Sequence, residues 1–125
     1  MIKTIISIFV TLALILGVSM YEIHYVENTF DTFHDMLRSL KEKTELNTVN
    51  YSDGLAVRSF WDEKKQVMHI WVPHTALSEI DYQLDELIGY LYTEKYDDAL
   101  PKIEVVLGLS EYVPRSYTIS LGNIF

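Results

Sequence analysis

The uncharged run from Thr4 to Tyr21 constrains this chain more than any other feature of its sequence. Its 18 residues contain no charged side chain and are dominated by Ile, Leu, Val and Phe. At about 1.5 Å per residue, a helix of this length extends roughly 27 Å, which matches the hydrocarbon thickness of a bilayer. The run therefore predicts a transmembrane anchor over residues 1–21 that contacts lipid through residues 4–21. Residues 22–125 are expected to form one separate domain.

A cleaved signal peptide is the alternative interpretation of this segment. Lys3 would supply its basic start, and the small residues of Gly17-Val18-Ser19 would form an acceptable cleavage site. The apolar run is longer than a usual signal core, and its helical pattern continues past that site. We therefore expect the segment to remain attached as an uncleaved signal anchor. The chain has no cysteine, which excludes a lipid anchor on a cysteine side chain.

Charge is distributed unevenly around the apolar run. Lys3 is the only charged side chain before Glu22, and Glu27, Asp31 and Asp35 are the next acids after it. The positive-inside rule then predicts a single-pass protein of the cell membrane with its N-terminus in the cytoplasm and its C-terminal domain outside. The chain has 18 acidic residues against 10 Lys and Arg, for a net charge of −8. Such a surface repels phosphates, so nucleic acid is not an expected partner.

Apolar residues after the membrane segment recur at alternating spacings of three and four, which is the pattern of an amphipathic helix. The first stripe continues the membrane segment and fades near Thr44, and turn-forming residues follow from Asn47 to Gly54. The stripe consists of Ile23, Val26, Phe30, Phe33, Leu37 and Leu40.

A second stripe and a shorter third one predict two further helices. The second stripe consists of Leu77, Ile80, Leu84, Leu87 and Leu91. Ser78 is its expected N-cap, with the Asp81 carboxylate three residues further on. The third helix is expected to begin near Tyr96 with Asp97 as its cap. Pro101 is expected to be tolerated only in a first turn, and Pro114 is expected to end or kink this helix.

The segment between Leu55 and Val72 fits two structures equally well. Alternating residues on either side of a polar turn at residues 62–65 fit a β-hairpin. The same segment also fits a helix whose apolar face carries Val57, Trp61 and Trp71. Periodicity does not decide between them.

Several short motifs occur in an order and spacing that resemble the bacterial family called domain of unknown function 4363. They are Trp61-Asp62-Glu63-Lys64-Lys65, Trp71-Val72-Pro73-His74, Glu79-Ile80-Asp81, Tyr96-Asp97-Asp98-Ala99-Leu100 and Ser120-Leu121-Gly122-Asn123-Ile124-Phe125. The resemblance covers nearly the whole chain and implies an N-terminal membrane segment, a helical domain and helix between Leu55 and Val72. It implies no activity. The predicted fold is all-α: an N-terminal transmembrane helix followed by a small antiparallel bundle of three or four helices.

The sequence shows no arrangement that predicts catalysis, a metal site or a cofactor. None of the four histidines has the spacing of a helical ligand pair, because His69 and His74 are five residues apart with Pro73 between them. No glycine-rich phosphate loop or nucleophile motif is present. The protein is therefore not expected to be an enzyme. The alternative is a cell-surface sensor of small ligands or a hydrolase, with a pocket near His74 and Asp81.

Aromatic residues exceed what a small core needs, and they favour a role in protein contacts. Trp61 and Trp71 are expected in the core, but several of the nine tyrosines must be exposed, as is common in protein interfaces. Asn123, Ile124 and Phe125 close an apolar tail that is expected to dock on the bundle or on a partner. The leading prediction is an extracytoplasmic interaction or accessory module that binds another membrane protein or itself.

Overall fold

The computed structural model describes the backbone of residues 1–124 and the side chains of residues 1–116. Within that range the chain forms four helices and no strand, which confirms the predicted all-α fold. The helices are α1 (Ile2–Glu45), α2 (Tyr51–Met68), α3 (His74–Tyr92) and α4 (Tyr96–Ile124). Each helix packs against its two neighbours in a ring, with α1 against α2 and α4, and α3 against α2 and α4. This is an up-and-down antiparallel bundle with short loops.

Helix α1 is continuous from the apolar run into the bundle. Its 44 residues extend about 66 Å, roughly twice the 30 Å thickness of a bilayer's hydrocarbon core. No residue before Val26 is buried within the protein, whereas Phe30, Phe33, Leu37 and Leu40 are buried in its core. The N-terminal part of α1 is long and apolar enough to cross a membrane.

The core is built around three aromatic rings contributed by α1 and α2. Trp61 is fully buried, with its ring centroid 5.0 Å from that of Phe33 and 6.0 Å from that of Phe30. The leucine stripe predicted for α3 faces these rings and is buried throughout. The three aromatic side chains fill the centre of the bundle, where large rings bury the most apolar surface.

The two loops farthest from the apolar run have the same design. In each, the backbone turns into the left-handed region one residue beyond the helix C-cap, at Asn47 (φ 57°) and at Glu94 (φ 58°). The Thr48 N–H donates to the Lys43 carbonyl, and the Lys95 N–H donates to the Tyr90 carbonyl, both at 2.9 Å. Both loops are therefore Schellman motifs, which satisfy the last carbonyls of α1 and α3.

Helix α2 resolves the ambiguity between a hairpin and a helix. It begins with a capping box, in which the Asn50 side chain accepts from the Asp53 N–H and the Asp53 carboxylate accepts from the Asn50 N–H. The hydrogen bond from the Asn50 N–H, together with that from the Lys43 ammonium, lowers the pKa of the Asp53 carboxyl. The helix packs closely on α3 at Gly54, where a Cβ atom would lie 2.8 Å from Leu91 Cδ1. No larger residue fits there unless α3 side chains shift.

Two expectations for the start of α3 and the end of α2 were wrong. Helix α2 ends at Met68, so Trp71 lies in the α2–α3 loop and not on a helix face with Trp61. Helix α3 begins at His74, and its N-cap is Pro73. The expected cap, Ser78, lies five residues further on, inside the helix. The extended backbone of Pro73 (ψ 137°) starts the helix without a side-chain cap, so the usual Ser, Thr, Asp and Asn signal does not apply.

Helix α4 departs from expectation at Pro101, which lies in its second turn because the helix begins at Tyr96. Pro114 does not end the helix, which continues to Ile124. Buried residues on both sides of Pro101 and directly before Pro114, including Ala99, Ile103 and Val113, pack α4 against α1 and α3. This packing outweighs the roughly 3 kcal/mol that an interior proline costs. Asp97 lies in the first turn and is not the cap.

Candidate interaction surfaces

Asp81 and Trp61, both predicted as motif residues, meet between α2 and α3. The Trp61 indole N–H donates to Asp81 Oδ1 over 2.7 Å, and the Lys65 ammonium lies 3.1 Å from both carboxylate oxygens. Burying an indole N–H without an acceptor would be costly, and Asp81 provides that acceptor. Arg58 extends the network through ion pairs with Asp62 and Asp85.

This junction joins α2 to α3. Asp81 Oδ1 accepts hydrogen bonds from the Trp61 indole N–H and the Lys65 ammonium, and Oδ2 accepts one from Lys65. Sequence reasoning missed Arg58 and Lys65, although Arg58 and Asp62 are four residues apart on α2 and form the pairing expected at that spacing. A tryptophan on the core face of a helix also signals that an acceptor must lie nearby.

His74 lies at the opening of α3 and is exposed. Its ring stacks on that of His69, with centroids 5.5 Å apart, and its Nε2 is 3.2 Å from the Ser78 hydroxyl. His74 and Asp81 are seven residues apart on one helix, a separation of about 10 Å along its axis. The structure therefore does not bring the two residues of the predicted pocket together. Among the described residues, no group of three His, Cys, Asp or Glu side chains could hold a metal ion.

Trp71 packs against the point where the apolar run of α1 ends. Its ring makes edge contacts with Tyr25 (centroids 5.6 Å apart) and Tyr21 (6.4 Å). Lys64 lies 5.9 Å from the centre of the Tyr25 ring. Tyrosine is a side-chain type that the membrane interface favours, and the structure packs Trp71 against Tyr21 and Tyr25 at the end of the run. These three rings are called the aromatic collar below.

An open groove of about 500 Å³ runs between α1 and α4. Its walls are charged, and the charges pair across it. Lys41 pairs with Glu104, and His34 Nε2 lies 3.0 Å from Glu111 Oε1. The hydrogen bond with Glu104 raises the pKa of Lys41, as a hydrogen bond with Glu86 raises that of Lys102 between α3 and α4. Surface ion pairs join the two helices across this groove. Its lining is mostly charged, unlike the predominantly apolar lining of a small-molecule site.

Exposed tyrosines occur on three sides of the bundle. Tyr51 and Tyr92 form an edge-to-face pair at the end with the two Schellman loops, with ring centroids 5.1 Å apart. Tyr92 is 70% exposed, and Tyr82 and Tyr112 are similarly exposed on α3 and α4. The predicted tail residues Asn123, Ile124 and Phe125 cannot be added to these surfaces, because their side chains lie outside the described residues.

Comparison with known proteins identifies one relationship. No curated protein matches the chain, and no solved structure matches it. The model of one family, described as domain of unknown function (DUF4363), matches residues 20–124. The match covers the entire bundle and begins where the apolar run ends. By this match over most of its length, the chain belongs to the DUF4363 family.

Proposed function

We propose that this protein is a membrane-anchored interaction module that holds a helical bundle at the outer face of the cell membrane for another membrane protein to bind. The observation that carries the proposal is the continuity of α1. One helix contains both the apolar run and the central stripe of the bundle core, with no linker between them. The anchor would therefore comprise residues 1–21 and the bundle residues 22–125.

The orientation rests on charge. Lys3 precedes the apolar run, and the next lysine or arginine after it is Arg38, which supports a cytoplasmic N-terminus by the positive-inside rule. A C-terminal reporter that is active only in the cytoplasm should be silent, and one that is active only outside should be active. The opposite pair of results would contradict the orientation.

A role in binding protein fits the chemistry of the surface better than catalysis does. Asp81 is engaged by Trp61 and Lys65, and His74 lies two turns away from it. Tyr92 and Tyr112 instead present large exposed rings, a side-chain type enriched in protein interfaces. No catalytic residue or cofactor is part of the proposal.

Site-specific photocrosslinking of the full-length protein in its native membrane tests this role. A crosslinking amino acid replaces Tyr92 or Tyr112, and replaces Gln66, an exposed polar residue of α2, as the matched control. We expect a discrete adduct from at least one tyrosine position and none from Gln66. An adduct of twice the monomer mass would identify a second copy as the partner in place of another membrane protein. Equal, diffuse labelling from all three positions would contradict an interaction module.

A further inference from the structure

The α2–α3 loop lies level with the end of the apolar run of α1. Trp71 of this loop contacts Tyr21, the last residue of the run, and Tyr25, which lies one turn further. One turn of helix is about 5.4 Å, so the loop sits within one turn of the boundary between the apolar run and the bundle. Because α1 is unbroken there, no linker separates the loop from a bilayer that surrounds the run.

The loop exposes an isoleucine between two buried residues. Met68 and Val72 are buried and close this end of the core, while Ile70 between them is 74% exposed. The Ile70 N–H donates to the Val67 carbonyl, and the Val72 N–H donates to the Met68 carbonyl over 2.8 Å. These hydrogen bonds make the loop a tight, ordered turn with Ile70 at its tip.

The loop also lacks charge, in a chain that is strongly acidic. No charged residue occurs between Lys65 and Glu79, the longest such stretch after the apolar run. The α1–α2 loop, at the other end of the bundle, provides the comparison. Leu46 there is 72% exposed, but it lies between Lys43 and Glu45 on one side and Asp53 on the other. Exposure is therefore similar in the two loops, and of the two only the α2–α3 loop is free of Lys, Arg, Asp and Glu.

From the position, the exposure and the missing charge, we infer that the α2–α3 loop is a second membrane contact, with Ile70 inserted into the lipid interface. The aromatic collar then lies at the headgroup level, where Trp and Tyr side chains are favoured. Interfacial apolar segments insert about 5–10 Å, which a single-residue tip on a tight turn can reach. The contact is with lipid chains and does not depend on headgroup charge. This inference rests on the proposed membrane anchor.

The absence of cysteine makes a direct test possible, since one introduced thiol can be labelled alone. The full-length variants Ile70→Cys, Leu46→Cys and Leu12→Cys are labelled with an environment-sensitive fluorophore. Each is reconstituted into two sets of phosphatidylcholine vesicles, one with a nitroxide near the headgroup and one with a nitroxide deep on the acyl chain. We expect the shallow nitroxide to lower emission at position 70 about twofold or more and the deep nitroxide to do the same at position 12, while emission at position 46 stays nearly unchanged with either.

The three positions separate the inference from the anchor on which it rests. Quenching at position 12 without quenching at 70 would overturn the second contact and leave the anchor intact. Lack of quenching at position 12 would overturn the anchor itself. Equal quenching at 46 and 70 would mean that the bundle lies flat on the bilayer, which also overturns the inference.

The unmodified protein offers a second measurement that does not depend on a substituted loop. Of its two tryptophans, Trp61 is fully buried, so brominated lipid should quench the emission of Trp71 selectively. The expected quenching should disappear in Trp71→Phe. Emission that is insensitive to brominated lipid in the unmodified protein would count against the contact.

Discussion

Phe9 and Phe33 are the same residue type in the same unbroken helix, yet Phe9 is 69% exposed and Phe33 is fully buried. The difference follows from the residues around them. No charged side chain lies near Phe9 on any face of α1, and Ser7 and Thr11 are the only polar residues within one turn of it, whereas the apolar residues around Phe33 form one stripe with charged and polar residues beside it. A stripe can be covered by neighbouring helices, but a helix that is uncharged and mostly apolar all round favours an apolar environment on every side. The half of α1 around Phe33 packs into the bundle core, and the half around Phe9 is long and apolar enough to cross a membrane.

The largest expected effect contrasts these two phenylalanines directly. Phe33→Ala should lower the free energy of unfolding by about 3–5 kcal/mol, because it removes a ring from the centre of the core and leaves a cavity. Phe9→Ala should leave unfolding of the bundle unchanged, since Phe9 contacts no part of it. Urea unfolding of the full-length protein in detergent micelles measures both. Similar losses of unfolding free energy from the two substitutions would contradict the different roles of Phe9 and Phe33.

The converse experiment places a charge in each half of α1. Leu12→Arg should disfavour membrane insertion by roughly 2.5–3.5 kcal/mol, because arginine near the middle of a span must leave water. Thr32→Arg, on the exposed face of the bundle half, is the control and should change insertion very little. The fraction of protein that resists alkaline extraction from membranes reports the difference. Extraction of the unsubstituted protein itself would show that the run does not cross the bilayer.

The hydrogen bond between Trp61 and Asp81 tests the bundle alone, because it joins two helices of the bundle. Asp81→Ala should cost about 1–3 kcal/mol, since it leaves the buried Trp61 indole N–H without its acceptor. Asp85→Ala removes a more exposed carboxylate of the same network and should cost about 0–1 kcal/mol. Thermal unfolding of both variants measures the two losses of stability. A larger loss from Asp85→Ala would contradict the structural role of Asp81.

The smallest expected effect is a gain in stability at the end farthest from the apolar run. Glu94 has a positive φ, and glycine removes the steric cost of that conformation, so Glu94→Gly should stabilise the bundle by up to about 1 kcal/mol. Asn47→Gly should gain less, because asparagine tolerates the left-handed region better. Urea midpoints measure both, and membrane insertion should not change in either. A destabilised Glu94→Gly would indicate that its side chain has a role beyond the turn.

Regular patterns made much of this fold predictable. The apolar run and the stripes of α1 and α3 follow from spacing, because each repeats over several turns. The apolar pattern of the α2 segment is shorter and fits both the spacing of a strand and that of a helix. Only the family resemblance favoured a helix there. The start of α3 follows from the backbone of Pro73, which the usual capping residues do not signal, and the path of α4 through Pro101 depends on tertiary packing, which a local pattern does not contain.

The surfaces were less predictable than the fold, for a physical reason. Asp81 was identified as part of a helix start, but its partner Trp61 is 20 residues away and on another helix. Trp71 was assigned to a helical face with Trp61, yet it lies in a loop against Tyr25, 46 residues earlier in the chain. Contacts of this kind arise only after the helices have assembled. The spacing of residues along one helix cannot reveal them.

The absence of a hinge in α1 gives the bundle a mechanical property. The 24 residues of α1 beyond Tyr21 extend about 36 Å, and a membrane-spanning helix is tilted by about 20° on average. Without a hinge, that tilt would swing the far end of a bundle anchored in this way sideways by about 12 Å. The height and lateral reach of Tyr92 would then vary with the thickness of the surrounding bilayer. A protein built as such a lever would convert a change in lipid composition into a change in the position of its outermost surface.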